Sequence, residues 1–301
     1  MHKPPLFHKL PLVGNLKNIF MYVFRKSKNN HPAMRNQIER LSKAQCFLID
    51  LDGTFYLGDR LVEGALHFID VLHQQGKQFL FLTNNSSKNR RQYADKITCL
   101  GMPVPEDLIL TSGEATASYL QQKNPDVRLF IVGTPELENE FRSHGFELVQ
   151  DHPHCLVLGF DTTLTYNKLW KLCDHVREGL PYIATHPDFN CPVGKNIMPD
   201  IGSMIAFVKA STGREPDLMV GKPNPLIIDT AAVKMNLPVE AFAIIGDRLY
   251  TDIALGKTSG ITTTLVLSGE SKRSDLDGSP FQPDYIFENI GGVADWLVEH
   301  R

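Results

Sequence analysis

The sequence predicts an α/β protein, a doubly wound parallel sheet split by an inserted α/β domain, and three observations predict it. Short, unbroken runs of Val, Ile, Leu and Phe recur along the chain, as strands buried on both faces of a parallel sheet do. Longer stretches that read as helices separate them. A second set of alternating runs interrupts the first midway, so one core is written in two pieces.

The elements follow in order. Residues 46–49, 79–82, 218–220, 242–245 and 264–267 are the clearest core strands, and 64–75, 88–100 and 225–235 read as helices between them. In the middle, 128–132, 155–159 and 182–184 read as strands, with helices at 135–144 and 166–178. The next eighteen residues, THPDFNCPVGKNIMPDIG, are too rich in Pro, Gly, Asn and Asp for regular structure. A loop of that length inside a compact domain is usually functional. The expected division is a basic extension at 1–40, a core at 41–123 and 218–301, and a cap at 124–217.

Composition narrows the function. The chain has 301 residues, 42% hydrophobic and 22% charged, the balance of a folded soluble protein. No apolar run approaches the roughly 18 residues of a membrane span. Five scattered cysteines, none in a C-x-x-C pair, argue against a disulfide framework or structural zinc and fit a reducing compartment, so a cytoplasmic location is expected. The net charge of −3 hides an asymmetry: Glu39 is the single acid among residues 1–43, where Lys and Arg are frequent. The acidic remainder disfavours a nucleic-acid polymer as partner. The leader, PLVGNLKNIFMYVF followed by RKSKNN, reads first as an unstructured extension, with Met34 as an alternative start. A membrane-surface contact or a targeting role is the competing reading, though no small-residue cleavage site is evident.

Four of the expected core strands end in a polar residue suited to phosphate chemistry. They read FLID with Asp50, FLFLT with Thr83, LMVGK with Lys222 and AIIGD with Asp247. In open α/β sheets ligands bind beyond the carboxyl ends of the strands, so these residues are expected to meet in one crevice. Each alone is ordinary turn chemistry. In order, D-x-D-G-T, T-N-N-S, G-K-P-N-P and G-D-R-L-Y-T-D, each directly after an apolar run, make chance a poor explanation. Asp50 and Asp52 lie two apart, which in extended geometry puts both side chains on one side of the backbone. A carboxylate at Asp50 can attack phosphorus, and an acid at Asp52 can protonate the departing oxygen and then activate water.

These motifs resemble the four signatures of the haloacid dehalogenase-like hydrolase superfamily, most closely its NagD-like branch of small-molecule phosphatases, subfamily IIA. The resemblance covers residues 44–298 and implies a Rossmann-like core under a large α/β cap, Mg²⁺ as cofactor and an aspartyl-phosphate at Asp50. It implies metal ligation by the Asp50 carboxylate, the Asp52 backbone carbonyl and Asp247, with Asp252 holding a metal-bound water; Asp252 reads equally as an acid at a helix N-terminus. It implies phosphoryl contacts from Thr83, Asn84 and Asn85 and charge neutralisation by Lys222. In similar proteins the loop matching 185–190 faces the active site, so His186 and Asp188 are the expected specificity residues, against a plain turn fixed by Pro187. Similar proteins often pair through the cap, so a homodimer is expected.

The expected substrate is a small phosphorylated metabolite: a nucleoside monophosphate, a sugar phosphate, phosphoglycolate or a similar ester. A phosphotransferase or mutase would begin at the same nucleophile, and a phosphate-ligand sensor would use the same pocket without turnover. A dehalogenase would have no use for an acid at Asp52. His67, His73, His144 and His175 read as surface residues of helices. His152 and His154 sit in a loop with no acids or cysteines arranged as ligands around them and make a weak metal site, so a metal reading is rejected there.

Overall fold

The computed structural model describes residues 39–193 and 196–301. The expectations for the basic leader fall on residues 1–38 and lie outside the described residues. Before the insertion the strands are β1 (Cys46–Ile49), β2 (Tyr56–Leu57), β3 (Arg60–Leu61), β4 (Gln78–Thr83) and β5 (Ile109–Thr111). Then come β6 (Leu129–Val132), β7 (Cys155–Leu158), β8 (Tyr182–Ala184), β9 (Asn190–Val193), β10 (Asn196–Pro199) and β11 (Leu218–Met219). The chain closes with β12 (Phe242–Gly246), β13 (Thr262–Val266) and β14 (Tyr285–Phe287). The α-helices are α1 (Ala65–Gln74), α2 (Arg90–Cys99), α3 (Ser112–Lys123), α4 (Pro135–Ser143), α5 (Tyr166–Arg177), α6 (Ile201–Thr212), α7 (Leu226–Met235), α8 (Ala254–Ser259) and α9 (Ile290–Glu299).

The core is a six-stranded parallel sheet in the order β14-β13-β12-β1-β4-β5. Its centre is β1, whose four residues are all fully buried. Side chains alternate along a strand, so both faces need an apolar cover. Phe47 and Ile49 join a cluster with Phe68 and Leu72 of α1, Tyr93 and Ile97 of α2, and Trp296 and Leu297 of α9. Cys46 and Leu48 face the other way, into a cluster with Ala115, Ile227, Ile228 and Leu255 from α3, α7 and α8. This is the two-sided burial expected of unbroken apolar runs.

A separate parallel sheet, β11-β8-β7-β6, forms the inserted cap with its own apolar cluster around Phe130, Leu156, Leu172 and Tyr182. One expectation is corrected here. The run at 218–220 is not a core strand: Leu218 and Met219 pair with Ile183 and Ala184 of β8. Hydrogen bonds continue past it, from Val220 N–H to Ala184 O at 3.2 Å and from Gly221 N–H to Thr185 O at 2.7 Å. The last cap strand therefore delivers Lys222 to the core.

The stretch expected to be irregular is also partly regular. Strands β9 and β10 form an antiparallel hairpin, and α6 begins at Ile201. A two-stranded ribbon has open edges, where Pro192 and Pro199 remove no bond from a larger ladder. The strand expected at 264–267 starts two residues earlier, because Thr262, Thr263 and Thr264 are β-branched and buried. Asp284 satisfies Thr263 by accepting from both its N–H and its hydroxyl at 2.9 Å. No helix among the described residues is long and apolar enough to cross a membrane.

Candidate active site

Strand register brings the first two acids together. Ile49 pairs with Ile245, and Asp50 N–H donates to Ile245 O at 2.9 Å, so Asp50 leaves β1 beside the end of β12, where Asp247 follows Gly246. Thr83 closes β4 on the other side. Lys222, 3% exposed, then reaches across: its ammonium donates to Asp50 Oδ1 at 2.5 Å, Asp252 Oδ1 at 2.7 Å and Leu82 O at 3.3 Å. The four strand-end residues that the sequence singles out thus share one crevice, although Lys222 arrives from the cap sheet.

Oxygens of Asp50, Asp247 and Asp252 lie within 4.8 Å of one another. Three carboxylates this close, two of them buried and Asp50 largely so, repel, and one lysine cannot neutralise them. Burial pushes Asp50 well above the usual carboxylate range, with Asp252 and Asp247 adding to it and Lys222 opposing. Burial and then Asp252 push Asp247 up to about 7. Burial opposes the Lys222 charge, but Asp252 and Asp50 outweigh it and the net direction is up. Asp247 Oδ2 accepts from Glu270 N–H at 2.7 Å, while Asp247 Oδ1 is buried without a hydrogen-bond partner. An orphaned carboxylate oxygen inside an all-oxygen cluster fits a hard divalent cation. Asp252 sits in a π-helical turn, Leu249–Ile253, wholly buried within this cluster.

Glycines admit these acids. A Cβ on Gly246 would lie 2.2 Å from Asp252 Cγ, and one on Gly269 would meet Asp247 Oδ2 closer still. Gly53, with φ of +89°, combines a left-handed turn after Asp52 with a close approach to Asp247.

A cavity of about 50 Å³ lies over the cluster, lined by Asp50, Asp52, Thr83, Asn85, Lys222 and Arg248, with Asp188 and Asp200 from the cap side. A larger neighbouring cavity of about 380 Å³ shares Asp52, Pro192 and Arg248 with it and adds Leu57, Asp247 and Glu270. Asp52 therefore stands between a small chamber and a roomier one.

Two residues differ from expectation. The side chain of Asn84 is occupied: Oδ1 accepts from Lys222 N–H at 2.8 Å, and Nδ2 donates to Lys222 O at 2.9 Å and to Asp188 Oδ2 at 3.1 Å. With both amide hydrogens engaged, its side chain holds the Lys222 backbone, while Asn84 itself still lines the chamber. His186 is fully buried and does not line the cavity; its Nε2 lies 3.1 Å from Asp200 Oδ1 and its Nδ1 3.2 Å from Thr185 Oγ1. It anchors Asp200, which also caps α6 through Ile201 N–H.

Sequence reasoning missed Arg248 and Asp200. Arg248 lies 3.0 Å from Glu270 and 3.7 Å from Asp188, joining core to cap. Its signal was its place beside Asp247 in G-D-R-L-Y-T-D. Nothing local marks Asp200 beyond its position ahead of an apolar helix, which is cap chemistry.

Residues 47–147 match the family described as haloacid dehalogenase-like hydrolase, and residues 219–293 match one described as HAD-hydrolase-like. A 5'-nucleotidase of Bacillus subtilis is 30% identical over 251 residues, 83% of this chain and 96% of that protein. This chain belongs to the haloacid dehalogenase-like hydrolases. Within that superfamily it falls in subfamily IIA, the NagD-like phosphatases. NagD of Escherichia coli K-12 is 31% identical, with a TM-score of 0.77 over 83% of this chain and 98% of that one. The crystal structure of 4-nitrophenylphosphatase from Thermotoga maritima is 46% identical, with a TM-score of 0.83 over 85% of this chain and 98% of its own. The haloacid dehalogenase-like fold thus extends through the cap as well as the core.

Proposed function

We propose that the protein is a Mg²⁺-dependent phosphatase that hydrolyses a small phosphate monoester through an aspartyl-phosphate on Asp50. The observation that carries this reading is the meeting of Asp50, Asp247, Asp252 and Lys222 around one cavity. Asp50, Asp247 and the Asp52 backbone carbonyl would hold the metal, with Asp252 behind a bound water. When bound, Mg²⁺ supplies charge neutralisation for attack by one anion on another.

The chain's own residues do the rest. Lys222 holds the Asp50 carboxylate in place and offsets phosphoryl charge. Thr83 and Asn85 line the chamber for the phosphoryl oxygens. As the bond from Asp50 Oδ to phosphorus forms and the ester bond breaks, Asp52 gives its proton to the departing oxygen. The resulting Asp52 carboxylate then takes a proton from the water that cleaves the acyl phosphate and restores Asp50. The cap keeps other water out.

The name of the Bacillus relative favours nucleoside monophosphates, and that of the Thermotoga relative, an aryl ester; sugar phosphates and phosphoglycolate belong to the same small-ester class. Purified protein with 4-nitrophenyl phosphate and Mg²⁺ should turn over, chelation should abolish turnover, and readdition should restore it. Binding without turnover would overturn the proposal. Two copies are proposed to pair through the cap, where Tyr166, Trp170 and Phe207 of α5 and α6 are exposed. Sedimentation that gives only a monomer would refute that pairing.

A further inference from the structure

Asp52 is exposed and follows the end of β1, so a general acid at this position needs something to hold its side chain. The geometry points to Tyr56 and Lys96 as positioning residues for Asp52, a relay that aims its carboxyl at the leaving oxygen. This rests on the reading of Asp52 as the acid.

The chain after β1 turns back on itself: Tyr56 N–H donates to Leu51 O at 3.1 Å, and Gly53 N–H to Tyr56 O at 2.8 Å. That turn places the Tyr56 hydroxyl 3.1 Å from Asp52 Oδ2, to which it donates. The Tyr56 ring is fully buried, so its direction is fixed by packing. A phenol carries its proton at neutral pH, so Tyr56 is a donor and the carboxylate its acceptor. Against the ring face lies the ammonium of Lys96, 3.7 Å from the centroid, carried on α2. A cation over a phenol withdraws electron density from it and strengthens the O–H as a donor.

The relay engages one oxygen of Asp52. With Oδ2 held by Tyr56, Oδ1 is the oxygen left to carry the transferred proton. When that proton passes to the ester oxygen, the new negative charge on Asp52 is met by a hydrogen bond already formed. No proton leaves Tyr56 or Lys96, and each ends the cycle as it began. Asp52 lines both the small chamber and the larger one, where an ester oxygen would cross between them.

The test compares two aryl esters that differ by a 4-nitro group, 4-nitrophenyl phosphate and phenyl phosphate, each variant against the unaltered protein, by kcat/KM, which covers the step in which the leaving group departs. A 4-nitrophenolate departs with little help, whereas phenolate needs a proton. General acid catalysis is typically worth about 10²–10⁴-fold. Tyr56→Phe, which keeps the buried ring, should lower kcat/KM for phenyl phosphate by at least roughly tenfold and for 4-nitrophenyl phosphate by less than about threefold. Lys96→Met should show the same selectivity to a smaller degree, and Lys96→Arg should restore it. Circular dichroism and thermal melting of each variant separate loss of fold from loss of positioning. Equal losses on both esters in Tyr56→Phe, or no loss, would overturn the assignment. Asp52→Asn places the failure: if it is selective while Tyr56→Phe is not, the relay is wrong and the acid stands. If Asp52→Asn hits both esters equally, the acid reading falls and the relay with it.

Discussion

At the scale of single residues, the site is dominated by charge held out of water. Asp50→Asn keeps the shape that Lys222 grips but removes the nucleophile; turnover should fall at least about 10³-fold with the melting temperature nearly kept. Near-normal activity would refute the mechanism. Lys222→Met leaves Asp50 and Asp252 buried without their cation, an arrangement that typically costs about 3–5 kcal/mol, so this variant should melt earlier and lose activity. Asp247 yields a pH prediction. Its folded pKa, about 7, lies above the ordinary 3.8, so the folded chain holds this proton more tightly than the unfolded one. The stabilisation is full below about pH 3.8 and is lost as pH rises through about 7. In metal-free protein, thermal stability should therefore decline over that window, less so in Asp247→Asn, and Mg²⁺ should stabilise most at the alkaline end. A flat profile in both would contradict it. The acids and the lysine were legible because each follows an apolar run. The real partners of Asn84 and the burial of His186 were not, since both depend on groups more than a hundred residues away or on the far side of a helix cap.

At the scale of elements, the sheet explains why the acids arrive where they do. Gly246, the last residue of β12, presses against Asp252. Gly246→Ala should cost about 1–3 kcal/mol by overpacking and should weaken Mg²⁺ affinity more than it changes the far-UV spectrum. An alanine variant with unchanged metal affinity would show that the contact relaxes freely. Strands β1, β4 and β12 could be read because each holds an unbroken apolar run, from Phe79 to Leu82 in the case of β4. The pairing of β11 could not: Leu218 and Met219 make too short a run to carry partner information, and the choice between the two sheets rests on the bonds from Val220 and Gly221 to β8 and the loop after it. The β9–β10 hairpin was hidden because its prolines mimic loop composition, a compositional signal that cannot distinguish a ribbon's open edge from irregular chain.

Across the whole molecule, cap and core touch at the chemistry itself. Asp188 meets Asn84 and Arg248 of the core, so Arg248→Ala should loosen that closure and raise KM roughly tenfold with a smaller change in kcat, as expected for the loss of a partly buried ion pair between cap and core. An effect confined to kcat would assign Arg248 to the chemical step instead. The two-piece organisation was legible from the interruption of one set of apolar runs by another, but the fit of cap to core was not, because no local pattern encodes contacts between distant loops. The same organisation has a consequence for biogenesis. The central strand β1 pairs on one side with β4, soon after it, and on the other with β12, almost two hundred residues later. On the ribosome, the β12-facing edge of β1 stays unpaired while the entire cap is translated, and an unpaired strand edge is prone to aggregation during that interval. Moving the termini so that β12 is synthesised just before β1 should shorten that vulnerable period and raise the yield of native protein.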